Sequence, residues 1–475
     1  MAFDKGSRGW KSMAQGVKRR SRESEPTELQ TSVEELTASG HFSLQSARWE
    51  EALICLKKAL RAATELQDRR VRRACSFNLG AAYIEMGRPE KGLDFLKQAR
   101  LWERGERVAD LQFNLAVAHQ ALGRNADAAG YFLQAAQLYR SQGDGDSEGD
   151  TCVKMAQCYI QLRDWGQAVR SFLRGGESYK IAGRSDAAAI AHKEAASCMI
   201  QSEQFSVDDI ISVLAECQVL SDSITDKHTL GELYLSLGLC YSQLRYFQEA
   251  VGCYQLGLSQ KDSPPAHRAA LLQNLGAALN SLGRYHQALD YHRQAAGLHG
   301  SLRNRGSQAR CFSNLALACR ELKNNQEAAE NFLHALQAFR DTGDHPGQRQ
   351  VCEALGETYF TLRELHKSIQ YYKQALAALP PCQDWCVSVQ ERLVNKLTTA
   401  LQQQLYLSLT GGLQWGCSSE TLLEPNPKEV QQRWNRLDTE PSLAQDPENQ
   451  PTGRADGSRA TRHFRKWTSR FCTVM

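Results

Sequence analysis

The sequence predicts an all-α chain, an α-solenoid of about nine helical hairpins stacked in order. Three observations carry that expectation. The 23 residues "FNLGAAYIEMGRPEKGLDFLKQA" at 77–99 return, altered, as "FNLAVAHQALGRNADAAGYFLQA" at 113–135. With Gly80 as an anchor, small residues recur at Gly40, Gly80, Ala116, Ala156, Ala196, Gly238, Gly276, Ala316 and Gly356, at intervals of 40, 36, 40, 40, 42, 38, 40 and 40. A second small residue follows each anchor by twelve positions and a third by nineteen, a period that marks stacked repeats.

The first 27 residues precede this pattern. Residues 1–22 carry seven Lys/Arg against Asp4, and no apolar segment resembles a signal peptide. Ala2 stands where N-myristoylation would need glycine. A disordered basic tail over 1–27 is expected, on a chain that is not secreted.

From 28 to 379 each copy reads as one hairpin, with the anchor on its first helix. The second small positions are Ala52, Gly92, Ala128, Ala168, Asp208, Ala250, Ala288, Ala328 and Ser368, Asp208 being the misfit. The third are Ala59, Ala99, Ala135, Gly175, Ala215, Gly257, Ala295, Ala335 and Ala375. Small residues let two helices approach at a crossing while larger ones fill the seams. Gly87, Gly123 and Gly283, seven past their anchors, suit a left-handed helix end. Trp49, Trp165, Phe205, Phe247 and Tyr285 are expected to open second helices, within which Phe132, Phe172, Tyr254, Phe332 and Tyr372 recur as core.

After Pro380 and Pro381, "VSVQERLVNKLTTALQQQLYLSL" predicts a capping helix within 383–409. The tail at 410–475 is expected to be disordered, since five of the twelve prolines lie in 413–475 and aliphatics are few. Residues 451–475 carry six Lys/Arg against Asp456, so with a net charge of +4 the middle of the chain is near −7. Basic ends flank an acidic body, and nothing points to nucleic acid.

At 475 residues, 42% of them hydrophobic and 23% charged, the chain exceeds one compact core and is ordinary for a folded protein. No apolar run approaches the roughly 20 residues of a membrane span. Fifteen cysteines, an odd number without a disulfide framework, suit a reducing, cytoplasmic setting.

The small–aromatic–small pattern over about 28–379 resembles the tetratricopeptide repeat, in the longer 40-residue form of the Pins-type polarity adaptors. The resemblance implies a right-handed solenoid whose first helices line a concave groove for peptides of partner proteins. It implies further that Asn two residues before an anchor contacts such a peptide. Asn78, Asn114, Asn274 and Asn314 hold that place here, with Lys154 at the equivalent one. An amide both donates and accepts, which suits a peptide backbone whatever its side chains. Arg310, one turn before Asn314, would pair with an acidic ligand side chain. The competing reading is that these amides only bridge adjacent repeats. No three consecutive repeats supply the Lys/Asn/Arg clamp for a chaperone's C-terminal carboxylate. The G-protein-binding motifs of Pins-type proteins are absent from 410–475.

Catalytic chemistry finds little support. "GDGDSEGD" at 143–150 mimics a calcium loop, but its twelfth position is Met155, so it reads as an acidic inter-repeat loop. Cys158, Cys198 and Cys240 lie two after an anchor, Cys55 and Cys253 fifteen after, and Cys75 and Cys311 five before. That recurrence marks cysteine as a small apolar filler. Cys382 and Cys386 lack partners at zinc-finger spacing. His286, His292 and His299, six and seven apart, are read as not sharing one helix face. No GxSxG, HExxH or Walker sequence occurs. A non-enzymatic adaptor without metal or cofactor is therefore expected.

Two tail motifs suggest further roles. Val430, Trp434 and Leu437 in "PKEVQQRWNRL" form one helical stripe that could fold on binding. The final "CTVM" resembles a prenylation box at Cys472, preceded by Phe464, Trp467 and Phe471 among basic residues. The alternative function is then a prenylated scaffold at the cytoplasmic face of a membrane that mainly self-associates.

Overall fold

The computed structural model describes residues 28–99, 108–260, 263–379 and 386–411. The expected tails, with Val430, Trp434, Leu437 and Cys472, lie outside the described residues, as does Cys382. Among those described, helices follow one another without a strand. They form two compact units, one through Leu282 and one from Gly283.

The first unit holds α1 (Glu28–Gln45), α2 (Trp49–Glu65), α3 (Arg69–Glu85), α4 (Pro89–Ala99), α5 (Val108–Ala121), α6 (Asn125–Ser141), α7 (Gly145–Gln161) and α8 (Trp165–Ile181). It continues with α9 (Ser185–Ser202), α10 (Val207–Ser221), α11 (Lys227–Gln243), α12 (Phe247–Ser259) and α13 (Pro265–Ser281). The second unit holds α14 (Tyr285–Ser301), α15 (Arg305–Glu321), α16 (Asn325–Asp341), α17 (His345–Thr361), α18 (Leu365–Ala377) and α19 (Cys386–Gly411). Within each unit every helix packs against the next in sequence.

The repeat rule has a backbone counterpart. The residue seven past every anchor takes a left-handed conformation: Ala47, Gly87, Gly123, Arg163, Glu203, Arg245, Gly283, Lys323 and Arg363. In most copies the following N–H reaches the carbonyl five residues back, as from Arg88 to Tyr83 and from Asp164 to Tyr159, both at 2.9 Å. This bonding satisfies a helix end and turns the chain back on itself. The second helix then starts nine past the anchor, at Trp49, Trp165, Phe247 and Tyr285 among others.

Outside the fifth copy the small positions are buried as expected, and so are Phe132, Phe172, Tyr254, Phe332 and Tyr372. In the second unit one core runs through α15 to α19, where Leu393 and Ala400 of α19 join Phe332, Leu355 and Tyr372. Ten of the eleven described cysteine thiols are buried, none of the eleven is in a disulfide, and Cys55 is half-buried. Burial pushes the thiols of Cys75 and Cys158 up to about 11 and that of Cys198 up to about 12, so they remain inert apolar filler.

Three expectations need correction. In the fifth copy α10 begins at Val207, eleven past Ala196 instead of nine, so Phe205 precedes the helix. The two extra residues lie in the turn, where Ser206 accepts from Asp209 N–H at 3.1 Å and caps α10. The register slips by two: Ala215 is exposed, and Ile210 and Cys217 are buried in place of Asp208 and Ala215.

Only the first two residues of "GDGDSEGD", Gly143 and Asp144, lie in a turn. Asp144 accepts from Ser147 N–H at 3.1 Å and caps α7, whose first turns contain residues 145–150. Acidic residues suit that positive helix end. The three histidines of α14 do not share one face, as expected: His286 is exposed, while His292 and His299, two helical turns apart, are both buried.

Candidate peptide-binding groove

Two residues on a helix are about 200° apart, so a side chain two before an anchor points away from the seam that the anchor fills. That geometry separates each polar position from the crossing within its own hairpin. In the first unit these positions are Asn78 on α3, Asn114 on α5, Lys154 on α7 and Asn274 on α13. Helices α3 and α5 touch directly, as do α9 and α11, and α11 and α13. First helices of those three pairs of neighbouring hairpins therefore meet.

Exposure divides the candidates. Asn78 and Asn314 are only 3% and 4% exposed. Asn114, Lys154, Asn274 and Arg310 are half-buried, with atoms that water or a ligand can reach. Glu194 and Ser236 occupy the equivalent places on α9 and α11. Glu194 pairs with Lys193, and the Ser236 hydroxyl donates to the Glu232 carbonyl at 2.9 Å. The structure thus sets Asn78, Asn114 and Lys154 on three successive first helices and separates Asn274 from them by two. In the second unit Arg310 and Asn314 lie one turn apart on α15. Among the described residues neither Lys154 nor Arg310 forms an ion pair.

Two hydrogen bonds missed by sequence reasoning brace this face. Tyr139 on α6 donates to Asp110 on α5, and Tyr179 on α8 donates to Asp150 on α7, each at 2.6 Å. Both pairs are 29 residues apart and recur 40 residues on, a signal that was present in the spacing. Burial raises the pKa of Asp150, against the opposing pull of the Tyr179 hydrogen bond, Arg184 and Lys154. Burial and the adjacent carboxylates push both phenols up as well, so each stays a donor. The arrangement offers amide donors and acceptors, an ammonium and a guanidinium on first helices.

Comparison with known proteins agrees with the repeat reading. Residues 267–341 and 307–380 match the family described as Tetratricopeptide repeat. Residues 97–256 match that described as Soluble NSF attachment protein, SNAP. The stretch 267–380 therefore carries tetratricopeptide repeats. The chain is similar to a Tonsoku-like protein of Danio rerio, 25% identical over 284 residues. That match spans 58% of this chain and 19% of the relative, so the chain spans about a fifth of the curated relative's length. Among solved structures, the apo form of RapI is 13% identical with a TM-score of 0.48, covering 74% of this chain and 97% of that one. The apo form of the quorum sensor NprR from B. thuringiensis is 15% identical with a TM-score of 0.40, covering 72% and 100%. No helix among the described residues is long and apolar enough to cross a membrane.

Proposed function

We propose that the chain is a non-catalytic adaptor that holds an extended peptide segment of a partner protein along the first helices of its hairpins. One observation carries the reading. Asn114, Lys154 and Asn274 occupy the same register position on first helices of one unit, and all three are half-buried rather than sealed. Amides there can bond a backbone in either sense, and the unpaired Lys154 and Arg310 favour acidic side chains in the ligand. Asn78 and Asn314, only 3% and 4% exposed, suit the other role considered for such amides, bridging adjacent helices.

Proximity labelling in cells tests the proposal, comparing the wild-type chain with Asn114→Ala/Asn274→Ala. Groove ligands should drop out of the labelled set in the double variant. An identical set from a folded double variant contradicts the reading.

A further inference from the structure

The irregular fifth hairpin brings a histidine and two carboxylates to one point from three helices. His192 on α9 is 1% exposed, and its Nδ1 lies 2.8 Å from the Ala188 carbonyl oxygen. A carbonyl only accepts, so Nδ1 donates to it and Nε2 is the ring nitrogen turned toward the carboxylates. Nε2 faces Glu216 Oε2 on α10 at 3.3 Å and Glu177 Oε1 on α8 at 4.0 Å. One donor atom from each of the three residues lies within 4.8 Å of the others.

The sequence makes room for that ring. Gly175 follows the repeat rule, but Gly176 beside it does not, and two successive glycines weaken a helix. A Cβ on Gly176 would lie 2.5 Å from His192 Nδ1, so the second glycine admits the imidazole. Two carboxylates and a ring nitrogen converging in this way favour a cation among them. Lys180 supplies one: its ammonium donates to Glu177 at 2.9 Å and also to Glu216. Its side chain is 26% exposed, so the ammonium can turn out into water.

We propose that Glu177, His192 and Glu216 form a Zn2+ site for which the Lys180 ammonium competes. One imidazole nitrogen and two carboxylates suit zinc, with a water completing four-coordination. Calcium and magnesium prefer all-oxygen shells. The Ala188 carbonyl already fixes the ring tautomer as the outer partner of a zinc-binding histidine does. Two carboxylates balance the ion's charge, and the released ammonium is hydrated. The ion would tie α8, α9 and α10 together where the two extra residues interrupt the repeat.

The test is calorimetric titration of the chelator-treated full chain with Zn2+, alongside Lys180→Ala and Glu216→Gln. Lys180→Ala should bind Zn2+ more tightly than wild type by about tenfold, and Glu216→Gln more weakly by about tenfold or more. Co2+ bound to Lys180→Ala should give a spectrum without a thiolate charge-transfer band. If circular dichroism shows Glu216→Gln unfolded, Glu177→Gln replaces it. Lys180→Ala binding no more tightly than wild type overturns the proposal. So does a thiolate band, or affinity that survives loss of either carboxylate, because the ion would then sit at cysteines elsewhere.

Discussion

Gly238 of α11 and Tyr254 of α12 meet so closely that a Cβ on the glycine would lie 2.6 Å from the Tyr254 Cδ1. The phenol reaches back over the first helix, its oxygen 3.1 Å from Ser242 Oγ. The same position, sixteen past the anchor, pairs Gly356 with Tyr372 at 2.6 Å from that ring's Cδ1. Where the anchor is alanine, at Ala116, Ala156 and Ala316, the ring is Phe132, Phe172 or Phe332. A tyrosine drawn onto the first helix leaves room for hydrogen alone, whereas a phenylalanine accommodates a methyl.

Gly238→Ala should therefore overpack the crossing and cost about 1–3 kcal/mol. Adding Tyr254→Phe should recover a good part of that loss, since the untethered ring can shift. Urea melts of both single variants and the double variant measure the coupling. Simple additivity would show that the two positions do not constrain each other.

The slipped register of the fifth copy makes its own contrast. Ala215→Leu, at an exposed position, should change stability by no more than about 0.5 kcal/mol. Cys217→Leu, at a fully buried one, should cost about 1–3 kcal/mol. Equal costs in thermal melts would restore the unslipped register.

That slip shows where sequence reading reaches its limit. Spacing located the helices because each crossing demands a small residue, and eight copies keep the same distances. In the fifth, two extra residues between Ala196 and Gly238 could have entered either turn, and Ala215 fell by chance where a small residue was wanted. The left-handed turn residues were legible at Gly87, Gly123 and Gly283 but not at Arg163, Lys323 or Arg363, whose side chains give no such hint. In the groove, spacing found the register of Asn78 and Asn314 but not their burial, which depends on neighbouring hairpins. The meeting of Glu177, His192 and Glu216 needs three helices in place and has no local pattern.

His299 should make stability depend on pH. It is buried on α14, neither ring nitrogen has a hydrogen-bond partner among the described residues, and burial, with Arg310 nearby, lowers its pKa below the ordinary 6.5. The folded state then binds fewer protons than the unfolded state below that value, so its stability contribution is present near pH 7 and falls as pH drops through 6.5. His299→Leu should flatten the stability profile between about pH 7 and pH 5 relative to wild type. An unchanged slope in denaturant melts at pH 5, 6 and 7 would contradict this role.

The last helix is held by charge as well as by packing. Glu353 on α17 accepts from Arg392 at 3.0 and 3.1 Å and from Lys396 at 2.7 Å, both on α19. Burial opposes its charge, yet those bonds prevail and leave its carboxyl below the usual range. Its contribution is therefore present above the unfolded carboxylate's pKa and is lost as pH falls through the folded value. Glu353→Gln should loosen α19 by about 1–2 kcal/mol, a figure kept small because Arg392 is half exposed. Amide exchange over 393–409 should accelerate in the variant. Unchanged exchange there would mean that Leu393 and Ala400 anchor the helix alone.

The adaptor reading itself is tested most directly with a peptide selected on the full chain from a random display library. Its binding is followed by fluorescence anisotropy on wild type and on Asn114→Ala/Asn274→Ala, with molar mass measured by light scattering in parallel. Capture along the first helices predicts a loss of affinity of about tenfold or more in the double variant, with molar mass and melting temperature unchanged. Undiminished affinity, or a change in molar mass that accompanies the loss, would contradict peptide capture by these residues.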